Sequence, residues 1–528
     1  VPTLVLAFAG ERSLRPYLIL DGKQTQGYSG VFHPTSWGNY MAFDALSGDD
    51  PLDSVYPGYV HFFVRANFPT TPRWLRTGLA EYYETFVADS GVIHIGRPSE
   101  AHVNRLRQGW RIPLPQLFEI DQDSPEYRDP EQFASYAAHC WAVVHYFLIG
   151  SEGAAAQLPE LLARLDRGEP VASALPAALD YGVAELERRL RLYIKQQIFR
   201  HQTWKLADLE PPALAPAVEL PREQVLTLLG EYLAHAGADA AAREHLEGAA
   251  DSGYGDALAL LGFLADEDGR VDEARDLYRR SAGLPLRRAS AAAHAAAFVL
   301  YRSAGATGAG DSDGLAAARA AVERALELDP EFGEAWALKG LAALEAGDPS
   351  AALVALSEAQ RRLPARADIA YNRFLAALDS GQATAARGIA TGSLARLDPE
   401  RAAEALRDLV AREQIELANR AFEAADRAMA EARYDDALAA LNDAAARVTD
   451  PAIRGNLEQR RRELEAYALR QKRVDAYNRA VAMANEGKYD DAERELSRLL
   501  ADCPDPEPVC GAARELLGQL SRHLEKKR

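Results

Sequence analysis

The sequence predicts an α+β domain followed by an all-α solenoid of helix hairpins, predominantly helical overall. Three observations predict it. Aromatic residues crowd the first part, where 28 of the 43, and five of the six Trp, lie before about residue 210. Beyond that seam Ala, Leu, Glu and Arg dominate, and small residues recur at a spacing of about 34 residues, the length of one helix pair. From about residue 400 a second pattern recurs every 55 residues. The expected domains are therefore 1–210, 211–400 and 401–528.

The elements of the first domain follow in order. Val1-Pro-Thr-Leu-Val-Leu-Ala-Phe8 is an apolar run without Met, basic n-region or cleavage site, so it reads as a strand and not as a signal peptide. The expectation is that a targeting segment once preceded it and is absent from this chain. Leu4–Phe8, Tyr17–Leu20, Gly30–Phe32 and Asn39–Ala45 are expected strands. A helix is expected to begin near Asp53 or Ser54, either of which suits a cap. Pro57 fits its first turn, where a missing N–H does no harm. It continues through Tyr59-Val-His-Phe-Phe-Val-Arg65. A second helix runs from Pro72 through Trp74-Leu-Arg-Thr-Gly-Leu-Ala-Glu-Tyr-Tyr-Glu84.

These two helices carry a resemblance. Pro72-Arg-Trp-Leu-Arg-Thr-Gly-Leu-Ala-Glu-Tyr82, preceded by Val55-Tyr-Pro-Gly-Tyr-Val-His-Phe62, resembles the peptidase MA-like family of gluzincins, relatives of the zinc aminopeptidases. Gly96-Arg-Pro, Ile112-Pro-Leu-Pro-Gln-Leu117 and the apolar helix Phe133–Phe147 extend the likeness over about residues 1–200. Members of that family carry a His-Glu-x-x-His helix. Two His four residues apart share one face and hold Zn²⁺, and the Glu between them polarises water. A Glu on the next helix is the third ligand. The resemblance implies a zincin-like fold whose chemistry has been lost. Pro57 stands at the first His position, Gly58 at the general base and Thr77 at the third ligand, leaving His61 alone. A zinc site needs at least three protein ligands, so neither metal nor other cofactor is expected. Glu81, Glu84 and Tyr136 would line the residual groove. A relocated metal site joining His61 to Glu81 or Glu84 is the enzymatic alternative. His139 and His145, six apart, do not share a helical face at ligand spacing and read as core histidines. Cys140 reads as a buried core thiol.

The array is read from its repeated positions. Trp336, Gly340, Gly347, Ala352, Leu356, Ala359 and Pro364 mark one copy. Leu261-Gly262, Gly269, Ala274 and Tyr278 mark another, and Leu229-Gly230, Gly237, Ala242, Leu246 and Ala249 a third. Weaker marks at Gly381, Ala386 and Asp398-Pro399 give a fourth. A pair over 289–330 is split by the Gly-rich stretch Gly305–Gly314, an expected surface loop. In the last segment Tyr434-Asp-Asp-Ala437 and Asp450-Pro451 recur as Tyr489-Asp-Asp-Ala492 and Asp505-Pro506. Small residues where helices approach, a large one filling each gap and a closing Pro make this pattern similar to the tetratricopeptide repeat. That resemblance implies a protein or peptide partner on a concave surface; a structural spacer is the other reading.

Composition bounds the function. With 48% apolar and 26% charged residues the chain has material for buried cores. The net charge of −18 argues against nucleic acid as a partner, since phosphate binding needs basic patches. No apolar run reaches the length of about 18 residues that a membrane-spanning helix needs. Three cysteines make no disulfide framework. Cys503 and Cys510 flank Pro504-Asp-Pro-Glu-Pro508 and read either as a bridge or as two free thiols. The Arg-to-Lys ratio of 52 to 8 reads as the codon bias of a GC-rich bacterial genome. The family resemblance and the cysteine pair lead to an expected location in the periplasm or cell envelope.

Overall fold

A computed structural model describes residues 2–20, 22–47, 55–67, 71–121, 123–167, 169–209, 216–303, 312–503 and 507–527. They fall into two compact units, Val1–Ala403 and Glu404–Arg528. Among the described residues no helix is long and apolar enough to cross a membrane. The chain is predominantly helical, with small sheets confined to its first part.

The first unit opens with strand β1 (Thr3–Phe8), the short hairpin β2 (Ile19–Leu20) and β3 (Lys23–Gln24), then β4 (Gly30–Pro34) and β5 (Asn39–Asp44). β5 is central: β1 lies parallel to it in the register Leu4↔Tyr40, and β4 runs antiparallel in the register Val31↔Ala42. The strand expected over Tyr17–Leu20 is shorter, because Arg15–Tyr17 forms a 3₁₀ turn around Pro16; the proline ring fixes a helical φ and withholds a ladder donor.

Helix α1 (Tyr56–Asn67) and helix α2 (Arg73–Glu84) follow. The expected caps Asp53 and Ser54 lie outside the described residues. α2 turns Trp74, Leu75, Gly78 and Tyr82 inward, a helical stripe. Its partner is the long apolar helix, here α4 (Pro130–His145), preceded by α3 (Glu100–Gln108). A Cβ on Gly78 would stand 2.4 Å from the Cys140 carbonyl oxygen, so only glycine permits this approach. Strands β6 (Val87–Asp89), β7 (Val92–Ile95) and β8 (Gln202–Lys205) form an antiparallel sheet that returns the chain to this helical block.

The array then proceeds as helix pairs: Arg222–His235 with Asp239–Ala250, Gly255–Glu267 with Val271–Ala282, Ala289–Ser303 with Ser312–Leu328, and Gly333–Glu345 with Pro349–Arg362. The repeated positions have one physical meaning. A Cβ on Gly230, Gly262 or Gly340 would meet Leu246, Tyr278 or Leu356 at 2.6, 3.0 and 2.4 Å. In each pair the small residue admits the large one placed sixteen positions later. Gly237, Gly269, Gly347 and Gly381 each hold the turn between helices at positive φ, where a Cβ is strained. The loop expected at Gly305–Gly314 lies outside the described residues through 311; Gly314 is helical, because the next helix begins at Ser312.

The seam near residue 210 falls inside the first unit, because the β1-β5-β4 sheet shares one hydrophobic cluster with the first helix pairs: Val31, Tyr40 and Ala42 pack with Tyr232, Leu246 and Leu258. A buried polar knot ties them. Glu231, with no side-chain exposure, accepts from Tyr40 Oη (3.2 Å), Ser290 Oγ (2.8 Å) and Arg288 Nε (2.8 Å).

The second unit carries most of helix Pro399–Ala430, then Tyr434–Arg447, Pro451–Asn485, Tyr489–Leu500 and Pro508–Lys527. Asp450-Pro451 starts a helix here instead of ending one, and Asp505-Pro506 lies outside the described residues. Asp450 caps Pro451–Asn485 by accepting from Ala452 N (2.9 Å) and Ile453 N (3.0 Å), with Pro at the first position, where its missing N–H is harmless. Cys503 and Cys510 are joined in a disulfide with Cα atoms 5.8 Å apart. Gly487 turns the chain at φ 78°, and Ala432 occupies the equivalent turn at φ 56°. An L-residue pays about 1–2 kcal/mol for that conformation, partly offset by glycine's unfolded-state entropy. Ala432→Gly is therefore expected to raise the stability of this unit by roughly 0.5–1 kcal/mol, measured by urea unfolding; an unchanged or lowered midpoint would contradict it.

Candidate functional site

The residues singled out by the zinc-motif resemblance separate into three environments. Gly58 lies in the first turn of α1, and a Cβ there would sit 3.3 Å from Phe32 Cβ on β4. Tyr59 and Phe62 close on the same ring, with centroids 5.7 and 5.8 Å away. This face of α1 therefore packs on Phe32 while Gly58 and Tyr59 remain exposed. Pro57 is helical, and its side chain lies outside the described residues. Thr77 is 6% exposed and faces α4, beside the fully buried Tyr136. The base position and the third-ligand position therefore look toward different neighbours.

A third environment holds the acids. Glu81 Oε2 lies 2.8 Å from His102 Nε2, in a pair whose side chains are 11% and 15% exposed. Desolvation, then the neighbouring Glu81 carboxylate, pushes Glu84 up to about 7. His61 is exposed on α1 within electrostatic reach of Glu81. Glu81, Glu84, His61 and His102 thus share one neighbourhood. Among the described residues, however, no three His, Cys, Asp or Glu side chains converge on a point where they could hold a metal ion. His102 escaped sequence reasoning because it lies 21 residues from Glu81, on another helix, with no motif spacing to announce it.

The other chemical residues are structural. His139 Nδ1 donates to the Ser135 carbonyl (2.6 Å), and its Nε2 accepts from Ile112 N (3.3 Å). His145 Nε2 donates to the Gly96 carbonyl (2.9 Å), and its Nδ1 accepts from Tyr193 Oη (2.8 Å). Each ring nitrogen is satisfied in the neutral form, and burial pushes both imidazoles down to about 4. Burial holds the Cys140 thiol far above its ordinary range, which removes the thiolate a nucleophile needs.

The first helices of the array's opening pairs are not free. Tyr40 stacks on His235 with centroids 4.8 Å apart, and Trp37 lies 4.1 Å from His294. The chain's own first residues cover Tyr232, His235 and His294.

No family model matches the chain, and no curated protein matches it. Among solved structures, a thermophilic TPR protein from Thermus thermophilus is similar at 20% identity, over 35% of this chain and 98% of that one, with a TM-score of 0.28. The TPR domain of P58(IPK) is similar at 17% identity, over 58% of this chain and 89% of that one, with a TM-score of 0.19.

Proposed function

We propose that the chain is a non-catalytic pseudopeptidase–tetratricopeptide protein acting as a protein–protein interaction adaptor or scaffold in a bacterial cell. On this reading residues 1–210 are the former peptidase domain, 211–400 the repeat array and 401–528 its helical continuation. The observation that carries it is the replacement of ligating and basic side chains at the motif positions. Gly58 carries no base, Thr77 is buried against α4 beside Tyr136, and of the family's ligand positions His61 alone keeps a ligating group. Water activation needs a base and a metal aimed at one point, and these positions do not supply it. Metal analysis of the purified full chain tests the reading. Less than about a tenth of an equivalent of zinc is expected by the three-ligand requirement; one tightly held equivalent overturns it.

One observation favours a second reading, an active zinc metallopeptidase with non-standard ligands around His61: Glu81 lies within electrostatic reach of that histidine and itself neighbours His102 and Glu84. Chelator-sensitive cleavage of a peptide library, lost in His61→Ala, would establish it. We infer export to the periplasm or cell envelope from the Cys503–Cys510 bridge, which persists in oxidising compartments. Thiol titration of denatured protein isolated from its native host without reductant should find one free thiol, and three would place the chain elsewhere.

A further inference from the structure

We propose that a cleft between α1 and the end of helix Pro349–Arg362 is the docking site for a carboxylate-rich peptide segment of a partner protein. It has a volume of about 480 Å³ and reaches from the β4–β5 turn past α1 and α2 to residues 362–366 and 396–397. Five arginines line it (Arg65, Arg76, Arg362, Arg366 and Arg396), and no Asp or Glu does. This concentration of positive charge stands in a chain of net charge −18.

The arginines divide by role. Arg362 is balanced by Glu331 and Glu358, and Arg366 by Glu334 and Asp368; these pairs hold the helix ends. Arg65 and Arg76 have no carboxylate within ion-pair distance among the described residues, and both face the cleft. Burial, then the like charges of Arg73 and Arg65, works against the Arg76 cation. Two guanidinium groups held together without counter-charge form a receptor for carboxylates, which they grip through paired N–H donors. Apart from Thr35 and Ser36 the remaining walls are apolar, Phe62, Leu363 and Leu397 among them. A free phosphate has no use for them, whereas a peptide that alternates acidic and apolar side chains meets both kinds of wall. The acidic surface elsewhere repels such a segment, so the local potential steers it here.

The inference rests on the adaptor reading and names its partner's chemistry; the metal and cleavage assays above fail or succeed independently of it. The experiment is fluorescence anisotropy of the full chain with a short labelled peptide alternating Asp or Glu with Leu or Phe. Its counterpart carries Asn and Gln. Saturable binding of the acidic peptide alone is expected, weakening as salt is added. Arg65→Ala and Arg76→Ala are each expected to lower affinity about tenfold, and the double variant about a hundredfold. Equal binding of the amide peptide, undiminished binding in the double variant, or no binding of the acidic peptide would each overturn the proposal. Displacement by inorganic phosphate beyond that of chloride at equal ionic strength would also overturn it, by assigning the cleft to a small anion. The peptide comparison uses the unmodified chain, so the test survives if a variant fails to fold.

Discussion

Arg288→Ala is expected to destabilise the unit Val1–Ala403 by about 3 kcal/mol at neutral pH, the cost of leaving a buried charge without its partner. Glu231 has no exposed side-chain surface, and the guanidinium supplies two of its donors, Nε at 2.8 Å and Nη2 at 3.0 Å. Burial alone would raise the Glu231 pKa; Arg288 outweighs it and leaves the carboxyl below its ordinary range. The sign of the pH dependence follows. In the native chain this depressed pKa contributes stability above the unfolded value of about 4.3, and the contribution is lost as pH falls through the folded pKa. In the variant burial is opposed by His235 and the Ser290 hydrogen bond without the guanidinium, so the folded pKa is expected to rise above the unfolded one. The penalty then grows as pH rises past about 4.3. Urea unfolding at pH 7 and pH 4.5 should show the larger loss at pH 7. Equal losses at both, or a loss under about 1 kcal/mol, would mean that the pair does not hold the sheet to the array.

This knot also shows what the sequence concealed. The helix pairs were legible because the same contact is written several times: Gly340 with Leu356, Gly262 with Tyr278, Gly230 with Leu246. The contact of Tyr40 with Glu231 is written once, across 191 residues. On its own helix Glu231 reads as one more solvated acid, and nothing local marks it as buried. The arginines of the cleft were hidden in the same way, since Arg65, Arg76 and Arg396 come together only when three separated segments fold. The pattern at residues 72–82 did announce a helix, and that helix packs through Gly78 against Cys140 with Trp74 and Tyr82 in the core. It did not foretell that the α1 face would be spent on β4, because that depends on Phe32. Periodicity reports which face of a helix is apolar; it does not report which distant segment will cover that face.

The strongest consequence of that packing concerns an attempt to install the zinc motif of the family that residues 55–82 resemble. Pro57→His, Gly58→Glu and Thr77→Glu together restore its residue types, yet the variant is expected to bind no stoichiometric zinc and to lose about 3 kcal/mol or more of stability. Thr77 is 6% exposed beside Tyr136 on α4. A longer carboxylate there must displace core side chains, and burial opposes its charge. It stays protonated or forces the helices apart. At position 58 the added side chain starts 3.3 Å from Phe32, so the sheet has to yield before the carboxylate can turn toward any metal. Thr77→Val separates the two costs. It keeps the volume, adds no charge and removes one hydroxyl beside Tyr136, so a change of about 1 kcal/mol, the net worth of one hydrogen bond, is expected. Thermal unfolding with metal analysis of the three chains decides the matter. If the rebuilt variant matches the stability of the native chain and carries one equivalent of zinc, the groove has kept a metal-ready geometry and lost only its ligands. If it is destabilised and metal-free while Thr77→Val folds normally, the packing of α1 on β4 and of α2 on α4 is incompatible with that motif.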